Sequence, residues 1–168
     1  MTSKAYFLSE TEIKFVDTGS TPNALFTCTS LAAAAGQQSA QYVFPSSPRA
    51  YEYNWTAFCK VTVTTLAVGE TVDVYLKTEG TSGHILNDDG LTDALLSSTD
   101  KLNNLQYLGS IVIDEVSATV EFVKKGRVVI KDPKVQVVFV NNTGAPFTAT
   151  AADHGFILEP TVIQGQAT

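Results

Sequence analysis

Oxygen donors crowd one stretch of this chain: Asn87, Asp88, Asp89, Gly90, Asp93 and Asp100. Calcium takes six to eight oxygen ligands, and clustered Asp and Asn side chains can offer several. The spacing lacks the alternating acidic pattern and closing Glu of an EF-hand loop, and Asn-Asp-Asp-Gly is also ordinary turn chemistry. The turn reading is preferred. The two histidines, His84 and His154, need oxygen partners from elsewhere to hold a metal. Asp153 and His154 are adjacent, and neighbouring residues on a strand point to opposite faces, so they make no acid–base couple by themselves. No serine sits in a nucleophile-elbow pattern, and no Gly-rich phosphate loop follows a strand. No catalytic, cofactor-binding or metal residue is therefore assigned, and the chain reads as a non-enzyme.

The aromatic residues Tyr51, Tyr53, Trp55 and Phe58, with Tyr42 and Phe44 upstream, form a second group. Tyr51, Tyr53 and Trp55 share one face of an extended strand, which reads first as core. The other reading is an exposed platform for stacking sugars or anchoring a protein. Cys28 and Cys59 lie in apolar strand-like surroundings and read as buried free thiols; a bond between them would require neighbouring strands.

The elements that would position these residues are strands. Cys59, Val61 and Val63 alternate with polar residues, as do Val72, Val74 and Leu76, so the two segments read as a hairpin. Ile111–Ile113, Val120–Phe122, Val128–Ile130, Val135–Val140 and Phe156–Leu158 are further β-rich runs. Lys124-Lys125-Gly126-Arg127 reads as a turn between two of them. Weaker segments are Ala5–Leu8, Ile13–Val16, Leu25–Leu31 and Gln41–Phe44. Helical signals are thin: the alanine run after Leu31 is cut short by Gly36 and the polar residues that follow, and one turn is placed near Asp93–Leu96. Eight to ten strands with hairpin connections predict an all-β, antiparallel β-sandwich, of jelly-roll type in preference to the immunoglobulin arrangement. Residues 1–23 read as an N-terminal arm or edge strands, and 24–168 as the sandwich domain. Its loop 78–104 is long enough to serve a function, such as reaching a neighbouring subunit.

The 168 residues fit one domain. Charged residues make up only 17%, which suits a surface partly covered by other subunits, and the net charge of −6 argues against nucleic acid as a partner. No segment approaches the roughly 18 continuous apolar residues of a membrane span. The N-terminal residues lack the pattern of a signal peptide, which predicts folding in a reducing cytoplasm.

Several segments resemble, in order, small β-sandwich proteins of tailed-bacteriophage virions: Gly36–Tyr42, Val68–Leu76, Asp100–Ser110, Val138–Gly144 and Ala152–Pro160. The resemblance spans roughly residues 24 to 162, and it rests on order and number because no one segment is diagnostic. It implies a capsid decoration (cement) protein on the virion surface, made in the host cytoplasm. Its implied partner is the major capsid protein, with no cofactor and neither nucleic acid nor membrane. Local three-fold positions in a shell favour a homotrimer. The alternative is a phage tail or fibre adhesion module binding host-surface glycan through Tyr51–Trp55.

Overall fold

A computed structural model describes residues 11–17, 21–45, 50–79 and 90–161. Among these residues eleven strands form two sheets: β1 (Ile13–Val16), β2 (Ala24–Leu25), β3 (Gly36–Gln38), β4 (Tyr42–Val43), β5 (Glu52–Cys59), β6 (Thr71–Glu79), β7 (Ala94–Leu95), β8 (Gln106–Val112), β9 (Phe122–Val129), β10 (Lys134–Asn141) and β11 (Gly155–Pro160). The first sheet has the order β2-β1-β11-β5-β9 and the second β7-β3-β10-β6-β8. Without the two-residue strands, β1-β11-β5-β9 faces β3-β10-β6-β8. That is the strand layout of an eight-stranded jelly roll built from two Greek keys.

Period-two burial makes the core. Tyr53, Trp55, Ala57 and Cys59 point inward from β5, Val72, Val74 and Leu76 from β6, and Val135, Val137 and Phe139 from β10. The segment 11–17, part of the stretch read as an arm or edge strands, contributes β1 near the rim of the first sheet, with Ile13 and Phe15 in the core. The residues before Thr11, Ala5–Leu8 among them, lie outside the described residues.

Three local expectations are corrected. Cys59 and Val72 do not belong to one hairpin: Cys59 pairs with Phe122 in the first sheet and Val72 with Ile111 in the second. The connection 60–70 instead crosses the end of the sandwich, burying Leu66 and anchoring the Gly69 amide on the Ile113 carbonyl at 2.8 Å. Lys124–Arg127 is no turn but the middle of the continuous strand β9, paired throughout with Asn54–Ala57. An edge strand tolerates charge on its residues, and Gly126 is needed there for packing. The helical turn expected near Asp93–Leu96 is strand β7, which pairs with β3, while a short 3₁₀ helix occupies Thr99–Asn104. Leu96 packs over Gly36, where a Cβ would come within 2.5 Å of its Cδ1.

The described part of loop 78–104 is bound to its own chain. Lys77 Nζ donates to the Gly90 carbonyl at 2.9 Å, Gln38 Nε2 to the Thr92 carbonyl at 2.9 Å, and Gln37 Nε2 to Asp93 Oδ1 at 2.6 Å. This segment lies against the outer face of the second sheet, over the buried Lys77. Residues 80–89, the outer part of the loop, lie outside the described residues.

Candidate interaction surface

His154 is 1% exposed and its ring stacks on Phe147 with centroids 4.9 Å apart. Its Nδ1 accepts from the Lys60 amide at 3.4 Å, which leaves the proton on Nε2 to donate to the Thr148 carbonyl at 3.0 Å. Burial holds the His154 pKa below its ordinary value, so the ring is neutral. Asp153 turns away to Lys60, 2.8 Å from Nζ, and accepts from Thr148 Oγ1 at 2.7 Å. Burial pulls the Asp153 pKa upward, but the bonds from Lys60 and Thr148 outweigh it and the carboxyl stays below its usual range. Every bond in this group ties the chain to itself. It is a clasp between the end of β5 and the start of β11.

The acidic stretch divides in the same manner. His84, Asn87, Asp88 and Asp89 lie outside the described residues. Asp93 accepts from the Thr27 amide at 3.1 Å as well as from Gln37, beside a depression of about 470 Å³ lined by Thr27, Thr29, Ser30 and Leu95. Its carboxylate thereby fixes the returning loop to β3. Among the described residues no three His, Cys, Asp or Glu side chains converge as a metal site. Cys28 and Cys59 are both buried free thiols, and burial pushes both pKa values well up.

The aromatic strand forms no platform. Tyr53 is fully buried and Trp55 is 3% exposed, leaving only Tyr51 of the three at the surface. Phe44 packs on Tyr53 at 5.6 Å and Trp55 stacks on Phe156 at 5.8 Å. The exposed reading fails because the inner face of β5 lies across the core, where both rings belong to the buried cluster.

The surface that stands out is one side of the sandwich. At the opposite side the sheets end in the two-residue strands β2 and β7. Here they end in β8 and β9, seven and eight residues long, whose outer edges pair with no described strand. The two edges differ in chemistry. Gln106–Val112 has no charged residue, and Tyr107 and Val112 are each 54% exposed. β9 carries Lys124, Lys125 and Arg127 and no acid, with Val123 and Val129 exposed beside them. The two edges meet at Gly109, whose φ of +146° accompanies a bulge opposite Val74 and Tyr75. Lys124 Cε lies 3.5 Å from the place a Gly109 Cβ would take, and Trp55 Cη2 4.0 Å from it. A basic stem from β9 thus lies against the middle of β8. Arg127 pairs with Glu52 at 3.1 Å, whereas Lys124 and Lys125 have no ion-pair partner among the described residues.

The sequence reading missed this rim because it needs the pairing order of both sheets. The available signals were the uncharged run Gln106–Val112 and a basic run lacking acids. No known family model matches the chain, and no curated protein matches it significantly.

Proposed function

We propose that this chain is a non-enzymatic structural protein of a bacteriophage virion, a capsid decoration protein that binds the major capsid protein and stabilises the shell. The β8–β9 rim carries the binding part of this reading. A protein that works by holding other subunits needs a surface with unused backbone donors and acceptors, exposed apolar groups and a distinct charge. The rim supplies all three on a jelly-roll frame whose core is otherwise closed. The ordered likeness to small virion proteins supplies the setting, and a homotrimer at local three-fold positions is the assembly that suits it. Neither nucleic acid nor membrane has a part in this reading. A tail or fibre adhesion role loses its support, since Tyr53 and Trp55 are interior.

Purified protein added to undecorated capsids is expected to bind at fixed stoichiometry and raise the temperature at which the shells break. A virion reconstruction without this protein on the head would sink the proposal.

A further inference from the structure

The geometry points to a specific occupant for the β8 edge: an acidic, extended segment of a partner protein, added as a further strand. This rests on the binding role proposed above and names the chemistry of the partner.

The backbone argument comes first. β8 is a terminal strand of seven residues whose outer side pairs with no described strand. Natural edge strands of this length are usually guarded by charge or proline on the strand itself. β8 has neither, and its bulge at Leu108–Gly109 bends it only locally. Added strands obtain affinity from such an edge through main-chain hydrogen bonds, and selectivity through nearby side chains.

Charge then selects the occupant. Lys124 lies against Gly109 at the middle of β8, whereas its neighbour Lys125 faces the outer side of the first sheet with Arg127 and Glu159. Lys124 lacks an ion-pair partner among the described residues in a chain whose net charge is −6. A second copy paired edge to edge about a two-fold axis would bring this lysine toward its own counterpart. A carboxylate on an incoming strand meets it instead, and attraction raises the rate of encounter as well as the preference.

The test uses the full chain, isotope-labelled for amide NMR, and two blocked octapeptides: alternating glutamate and valine, and alternating lysine and valine. The acidic peptide is expected to shift the amides of 106–112 and 124–127 and to bind at least about ten-fold tighter than the basic one, a difference of about 1.4 kcal/mol. Its affinity should fall with added salt. In the K124E variant the preference should reverse, while amides remote from the rim stay unchanged and report an intact fold. Equal binding of both peptides, shifts confined to other surfaces, or no binding at about millimolar peptide each overturn the inference. Broadening of the 106–112 amides with protein concentration alone also overturns it, by assigning the edge to a second copy. Because no capsid is used, failure of the decoration role leaves this result readable.

Discussion

Gly126 lies opposite Trp55 in the β5–β9 pairing, and a Cβ there would fall 2.5 Å from Trp55 Cζ2. The indole covers the glycine and reaches on toward Gly109, so one ring closes the gap between the sheets at their open side. Gly126→Val forces that ring to move, and overpacking of this kind costs about 1–3 kcal/mol. Trp55→Ala removes the ring, and deleting a buried Trp costs about 3–5 kcal/mol. The two should couple: in a Trp55→Ala background, Gly126→Val is expected to cost much less, because its clash partner is gone. Urea unfolding of the four proteins measures this, and additive losses would show that the contact is not the cause. Trp55 was legible as a core residue from its alternation with Asn54 and Thr56. Gly126 was not, because a glycine among Lys124, Lys125 and Arg127 has the local chemistry of a turn. Only the ring of a residue far away in sequence explains it as a strand residue.

The clasp around His154 belongs to the scale of elements, since it joins the end of β5, the start of β11 and the segment at Thr148. Acid should open it. The folded-state pKa of His154 is lowered, and burial is the main cause. Above the unfolded value of about 6.5, neither state binds this proton. As pH falls below about 6.5, the unfolded chain protonates before the folded one, and stability declines until the folded pKa is reached. The charged groups facing the ring are Asp153, which favours protonation, Lys60, which opposes it, and Asp17, which favours it weakly. The lowered carboxyl of Asp153 adds a further loss only at pH below about 4. Unfolding free energy is expected to hold level from pH 8 to about 6.5 and to decline below that, this one proton contributing at most about 1.4 kcal/mol per unit. His154→Gln, which keeps a side-chain amide for the carbonyl and cannot titrate, should flatten that slope. An unchanged slope in this variant would assign the effect elsewhere. At this scale the strands themselves were readable: Ile13–Val16 agrees with β1, and Val135–Val140 lies within β10. Their partners were less so. Val61 and Val72 read as a hairpin because alternation states which face is buried and says nothing about which sheet a strand joins.

The jelly-roll order puts long strand edges on one side of the molecule and two-residue strands on the other. That asymmetry was beyond the sequence for a physical reason: an edge is defined by what does not pair with it, and pairing is a property of the whole fold. The class itself was legible, since β-rich runs separated by turn signals leave few architectures open. The asymmetry sets a problem of solubility, because β8 is an uncharged edge with Tyr107 and Val112 exposed. Lys124 answers it from the neighbouring sheet, since two copies approaching through β8 bring like charges together. Neutralising it is therefore expected to permit edge pairing. Lys124→Gln should form a species of twice the wild-type mass in sedimentation velocity, increasingly so at higher protein concentration. Wild-type protein should move the same way when salt is added, because screening at high ionic strength weakens repulsion between exposed charges. If this variant keeps the wild-type mass at every concentration, the charge of Lys124 is not what holds two β8 edges apart, and the bulge at Gly109 alone must guard the strand.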